Sequence, residues 1–177
     1  RIQELIVWLN ENEDYDFEWL SVRDYIKEKG LDHLEVVKDD GLEALVVDKR
    51  YNIRFKVDGL LTIRGHTYLL EIKTDDTYRW KGRNKVSKYH RFQGFSYSLS
   101  FGIDRVLYVY EERNNFQKKA IHKKVTDEDR KELTDKIEMI EEHLEKGKLP
   151  KKDLTSCNFC MYKTICKKDY NPKEGEE

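Results

Sequence analysis

No run of apolar residues in this chain is long enough to cross a bilayer, and no signal peptide opens it. A cytoplasmic or nucleoid-associated protein is therefore the expectation. The first residue is Arg1 rather than methionine, which leads us to expect further residues upstream. A global basic signature is missing too: 34 Lys and Arg stand against 35 Asp and Glu, for a formal net charge of −1. If nucleic acid is a partner, it must be met by local clustering of charge. A disulfide framework is also not expected, because cysteine occurs three times and only within 157–166. No internal repeat is visible. The 177 residues suffice for one domain with its own core, and we expect 1–177 to be that domain, with a cysteine segment at 150–168 inside it.

Along the chain, Ile2, Leu5, Ile6 and Leu9 fall at helical spacing, and Phe17–Lys29 reads as a second helix stopped by Gly30. β-rich runs follow at His33–Lys38, Leu42–Asp48 and Tyr51–Val57, where Ile53, Phe55 and Val57 alternate with polar residues. Leu60–Ile63 and Tyr68–Ile72 flank Arg64-Gly65-His66, the signature of a hairpin turn. A mainly antiparallel set of strands is expected. Tyr89–Phe101 reads as a helix despite Gly94, with Phe92, Phe95 and Leu99 toward the core. Arg105–Tyr110 is a further strand, and Ala120–Val125 a last short one. From Thr126, a helix N-cap followed by acids, a helix runs to about Lys146 with Leu133, Ile137, Ile140 and Leu144 as its stripe.

The chemistry concentrates in Val57-Asp58-Gly59, then twelve residues, then Glu71-Ile72-Lys73. On a strand, Glu71 and Lys73 project to one side while Ile72 enters the core. Asp58, just ahead of the hairpin, can join them. Two convergent carboxylates suit a hard divalent cation such as Mg²⁺ or Mn²⁺. A lysine beside them can hold an attacking water or stabilise charge building on a phosphate. The next stretch, Thr74–Lys88, carries Arg79, Lys81, Arg83, Lys85 and Lys88 interleaved with Tyr78 and Trp80. Basic groups contact phosphates and aromatics stack on unpaired bases, so this segment is a candidate DNA contact.

Asp58, Glu71 and Lys73 in this spacing resemble the core of the PD-(D/E)XK nuclease superfamily. Asp58-Gly59 stands where the superfamily's name has Pro-Asp; a Val or Ile before Asp-Gly is common in the RecB-like branch. Gln93 and Tyr97 lie four residues apart on the following helix, resembling that branch's Gln-x-x-x-Tyr motif. The order of these features matches from about Glu35 to Cys166. The resemblance implies a restriction-endonuclease-like α/β fold, a mixed sheet flanked by helices. It implies Asp58, Glu71 and the Ile72 carbonyl as ligands of Mg²⁺ or Mn²⁺. Lys73 would act on the water, and Gln93 and Tyr97 would face the site and the DNA. An early-strand acid, for which Glu35 is the candidate, would complete the metal site. The implied function is exonucleolytic hydrolysis of single-stranded DNA or DNA ends. A structure- or sequence-specific endonuclease and a non-catalytic DNA-binding module on the same fold stand as alternatives.

Cys157-x₂-Cys160-x₅-Cys166 has the spacing of metal ligands. Zinc could take a histidine as fourth ligand; a [4Fe–4S] cluster would want a fourth cysteine. The segment resembles the C-terminal cysteines of iron–sulfur nucleases of the RecB-like branch, among them the AddB nuclease domain, the CRISPR-associated RecB-like exonucleases and phage relatives. That resemblance implies a [4Fe–4S] cluster, a metal-stapled C-terminal tail, and a fourth cysteine in a segment ahead of Arg1.

Overall fold

A computed structural model describes residues 2–12, 17–41, 43–148 and 160–161. In chain order the elements are α1 (Ile2–Asn12), β1 (Phe17–Leu20), α2 (Val22–Glu28), β2 (Leu34–Asp39), β3 (Ala44–Asp48), β4 (Ile53–Val57), β5 (Gly59–Ile63), β6 (His66–Asp75), α3 (Thr77–Lys81), α4 (Lys88–Phe101), β7 (Arg105–Glu112), β8 (Lys118–Lys124) and α5 (Asp127–Glu145). The chain forms two compact units, 1–138 and 139–177, with α5 running across the division.

Two sheets organise the first unit. One has five strands in the order β1-β5-β6-β7-β8, the other three in the order β2-β3-β4. All pairings are antiparallel except β6 with β7, which are parallel and joined by the crossover through α3 and α4. This mixed sheet with flanking helices is consistent with the restriction-endonuclease-like architecture expected from the sequence. The expected hairpin between β5 and β6 is there, closed one residue tighter than Arg64-Gly65-His66: Ile63 pairs with His66 across Arg64 and Gly65, both at positive φ. Such a two-residue turn matches the right-handed twist of the strands it joins.

The two faces of the five-stranded sheet bury two separate cores. Leu69, Val106, Tyr108 and Tyr110 pack with Phe95, Tyr97 and Phe101 of α4 and with Val46 and Val57 of the smaller sheet. Leu61, Leu70, Leu107 and Val109 pack against Leu5 and Leu9 of α1. Two glycines are set by close packing. A Cβ on Gly94 would lie 1.9 Å from the Tyr108 hydroxyl, so α4 approaches β7 only without one. A Cβ on Gly59 would meet the Trp19 ring at 2.0 Å.

The structure corrects four expectations. Phe17–Lys29 is not one helix. Phe17–Leu20 is a strand paired along β5, and Ser21, whose hydroxyl accepts from the Asp24 N–H, starts a shorter helix. The strands read as one set split into two sheets, because the chain leaves the smaller sheet at Val57 and enters the larger at Gly59. The segment from Thr74, which shows no period in sequence and so reads as irregular, holds regular structure: β6 runs on to Asp75, and Asp76 caps α3 by accepting from Arg79 N–H at 2.8 Å. Finally, Ile140 and Leu144 do not continue the buried stripe of Leu133 and Ile137; they are exposed. The helix read from Tyr89 begins one residue earlier, at Lys88, capped by Ser87, and Gly102 closes it in the left-handed conformation. Thr126 and Asp129 cap the start of α5 reciprocally.

Candidate active site

The step from one sheet to the other places Asp58. Gly59 pairs with Leu70, so the next position back, Asp58, stands opposite Glu71. Asp58 Oδ2 accepts from the Ile72 N–H at 2.6 Å, which locks the carboxylate to β6. Strand alternation then puts Glu71, Lys73 and Asp75 on the α4 face, while Ile72 packs on the α1 side. The Lys73 ammonium is ion-paired with Glu71 Oε1. Asp58, Glu71 and Lys73 are thus brought together as expected.

Glu71 is 2% exposed, and its Oε2 has no hydrogen-bond partner. The Tyr97 hydroxyl stands close enough to Glu71 to help hold its charge, but its hydrogen is directed to the Lys56 carbonyl, which leaves Oε2 without a well-formed hydrogen bond. Burial raises the pKa of Glu71; the Asp58 charge adds to this, and Lys73 only partly offsets it. Asp58 is raised as well, chiefly by burial, against the Ile72 N–H and Lys73. A buried carboxylate with an orphaned oxygen is unfavourable, and a second carboxylate opposite makes it more so. A hard cation on these oxygens would remove both penalties, so the donor set fits Mg²⁺ or Mn²⁺. The fit rests on two carboxylates: among the described residues no three His, Cys, Asp or Glu side chains come together.

Tyr97 is 1% exposed and reaches this pair from α4; burial and then the Glu71 charge drive its pKa up, so it stays protonated. Buried to this degree, its ring offers no open surface to a ligand. Gln93, one turn earlier on the same stripe, is exposed. Ile72 contributes its backbone N–H to Asp58 and its side chain to the cleft wall.

Glu35 does not complete the site. It is exposed and ion-paired with Lys49 at 2.9 Å. Glu35 pairs with Val47 whereas Asp39 pairs with Ala44, the neighbour of Val57, so Glu35 sits at the other end of its strand, about 13 Å along it at strand rise. Among the acids that do line the Asp58 cleft are Asp40 and Glu43, from the β2–β3 turn. The sequence signal for them was available: the turn between strands leading into Asp58 must lie at Asp58's end of the smaller sheet. His90 was also missed. Its Nδ1 is 2.9 Å from the Tyr110 hydroxyl, and Tyr110 pairs with Lys73. Burial, then the charges of Lys73 and Arg83, lower its pKa and keep it neutral. Its spacing of seven from Tyr97, two helical turns on one face, was the clue.

The six residues expected to contact DNA separate into two groups. Arg83 grips buried Asp75 with two hydrogen bonds, at 2.7 and 2.9 Å, and lies over the Tyr110 ring, so it is a structural clamp. Trp80 is half-buried with Lys119 over its ring at 4.0 Å, which denies that face to a base. These two expectations are corrected. Arg79, Lys81, Lys85 and Lys88 are exposed, as is Tyr78. Of the cysteines, Cys160 is exposed and free, while Cys157 and Cys166 lie outside the described residues, as does the stapled tail.

Asp58, Ile72 and Lys73 open onto a cleft of about 660 Å³, which also takes in Asp40, Glu43 and Phe116.

No family model matches the chain, nor does any curated protein. Among solved structures, the crystal structure of SSO0001 superposes with a TM-score of 0.44 at 17% identity, covering 93% of this chain and 65% of that one. An alkaline exonuclease (LHK-Exo) from Laribacter hongkongensis superposes with a TM-score of 0.40 at 15% identity, covering 82% of this chain and 73% of that one. This chain therefore spans slightly less than two thirds of the first. Likenesses this distant leave function to the geometry. Among the described residues no helix is long and apolar enough to cross a membrane.

Proposed function

We propose that this chain is a divalent-metal-dependent nuclease that hydrolyses DNA phosphodiesters, acting on single strands or on ends as an exonuclease of the RecB-like kind. The observation that carries the reading is the buried Glu71 carboxylate, one oxygen on Lys73 and the other orphaned, facing Asp58. Structural carboxylates are saturated with donors; this one is held short of saturation.

Asp58 and Glu71 would hold the cation. A divalent ion there supplies Lewis acidity toward the phosphate and makes water a competent nucleophile at neutral pH. The chain's own groups do the rest. The Ile72 N–H fixes the Asp58 carboxylate, so one of its oxygens is committed to β6 and the other is left for a ligand. Lys73, ion-paired with Glu71, also lines the cleft, where its ammonium can orient the water or offset charge on the phosphate. Tyr97, tied to Lys56, closes the back of the site and excludes solvent from Glu71. Exposed Arg79, Lys81, Lys85 and Lys88 supply the local positive charge that a net charge of −1 does not. The three clustered cysteines are read as a structural iron–sulfur site, with zinc as the rival occupant, because phosphodiester hydrolysis requires no redox step.

The test is hydrolysis of end-labelled single-stranded DNA with Mg²⁺ or Mn²⁺, wild type beside Lys73→Ala, on protein purified anaerobically with its visible spectrum recorded. Stepwise shortening that vanishes in the variant is the expected result. Two equally inert proteins that still bind DNA would sink the catalytic assignment.

A further inference from the structure

We propose that Phe116 is the platform on which an unpaired base of the substrate strand stacks, so that the cleft selects single-stranded over paired nucleic acid. The proposal rests on the nuclease reading above and names the contact that gives it strand specificity.

Phe116 lies in the turn between β7 and β8, is 62% exposed, and lines the same cleft as Asp58 and Lys73. Its φ is 61°, a backbone conformation in which a bulky side chain is rarely found and which glycine or asparagine would adopt more readily. The neighbours impose it. Glu112, itself buried, accepts from the Thr77 hydroxyl at 2.6 Å and from the backbone N–H groups of Asn114 and Asn115 at 2.8 and 2.6 Å. Phe116 N–H donates to the Glu112 carbonyl at 2.9 Å. A buried carboxylate therefore ties the turn to α3 and holds an aromatic ring out in a cleft, although the ring gains little burial there. Strain retained at an exposed aromatic beside candidate catalytic groups points to a ligand.

The position suits a base. Lys73 pairs with Tyr110 and Asp75 with Glu112, so the turn begins about 7 Å beyond Lys73 along the strands, within reach of a nucleotide next to the one being cut. Electrostatics suit it too. The cleft is lined by five carboxylates, Asp40, Glu43 and Asp58 among them, against two ammonium groups, Lys73 and Lys118. Such a lining gives a sugar–phosphate strand little Coulomb attraction, and stacking on an aromatic face is the contact that does not depend on charge. A base offers its face only when it is unpaired, which makes the ring a filter for single strands.

The experiment is steady-state cleavage, with Mn²⁺, of a single-stranded oligonucleotide, its duplex, and the same strand with abasic sites through the stretch that is cut. Wild type is compared with Phe116→Ala and Phe116→Trp after circular dichroism shows matching Tm. Losing one base stack raises KM on the intact strand by roughly tenfold in Phe116→Ala. Phe116→Trp should restore it, and kcat should change less than KM. On the abasic strand wild type should fall to the level of Phe116→Ala. The ratio between the two proteins should hold as salt is raised, because stacking releases no counterions. Equal KM values on the intact strand, or an equal loss on the abasic one, would overturn the proposal while leaving the nuclease reading in place. A wild type that cleaves none of the three substrates overturns the nuclease reading and this one with it.

Discussion

Two buried carboxylates lie four residues apart on the same face of β6 and are treated in opposite ways. Asp75 receives the planar fork of Arg83, two hydrogen bonds in one geometry, with Tyr110 stacked on the guanidinium. Glu71 receives a single lysine on one oxygen, and the other makes no well-formed hydrogen bond, with the Tyr97 hydroxyl near but turned to Lys56. Arginine's fixed fork saturates a carboxylate, whereas lysine's ammonium is a mobile point charge that can be drawn away. Asp75 is finished as a piece of structure. Glu71 is left able to take a further ligand, and Asp58 is aligned opposite to share it. Burial and charge are alike at the two acids; the count of satisfied oxygens is what differs.

Breaking each pair should give different signatures. Arg83→Leu strands a buried charge and should lower stability by roughly 3–5 kcal/mol, read by urea denaturation, with activity per folded molecule retained. Lys73→Ala should reverse that pattern. Cleavage should fall by about a hundred- to a thousandfold, the scale for removing one preorganised charge-stabilising donor, with the fold intact by circular dichroism. If Arg83→Leu kills activity without unfolding the protein, the contrast between the two pairs is wrong.

Metal addition sharpens the comparison. Mn²⁺ at about a hundred times its Kd should stabilise wild type by about 2.7 kcal/mol, a Tm rise on the order of 5–10 °C by differential scanning fluorimetry. Asp58→Asn should abolish the rise, and Asp75→Asn with Arg83→Leu should keep it on a lowered baseline. A rise that survives Asp58→Asn would place the ion elsewhere.

The smallest effect is in the pH dependence. Burial raises both Asp58 and Glu71, so just above the ordinary carboxylate pKa of about 4 the folded protein holds protons that the unfolded chain has lost. The pair's contribution to stability therefore falls as pH rises through that window and returns on acidification. Metal-dependent cleavage runs the other way, since it needs both groups ionised, and should fail on acidification at a pH above the ordinary carboxylate range. Tm in EDTA and kcat/KM in Mn²⁺, each followed from pH 4 to 8, would show the opposed slopes. Parallel slopes would mean the pair is not what titrates.

Some of this was legible beforehand because it depends on neighbours in sequence. Alternation in 53–57, the hairpin at Arg64-Gly65 and the cap at Thr126 are local features, and the structure bears them out. That Asp58 comes beside Glu71 and Lys73 was legible because a short hairpin brings them together; the register that sets it opposite Glu71 follows from the two-residue turn. Phe17-Glu18-Trp19-Leu20 was not, since a four-residue run cannot show its period and becomes a strand only by pairing with β5. Glu35 looked as eligible as Asp40 or Glu43, because distance from Asp58 depends on cross-strand register and not on residue type. Trp80 and Arg83 looked like open DNA contacts because their partners, Lys119 and Asp75, are known only once the chain is folded.

The sequence by itself thus determined most of the local elements and the residue types that come together: two carboxylates and a lysine, joined by a short hairpin. Tertiary structure decided which charges are satisfied. Saturation of a carboxylate depends on donors brought from distant segments, such as Arg83 to Asp75, and on donors diverted elsewhere, such as Tyr97 to the Lys56 carbonyl. No run of neighbouring residues encodes that count, and it is what sets Glu71 apart.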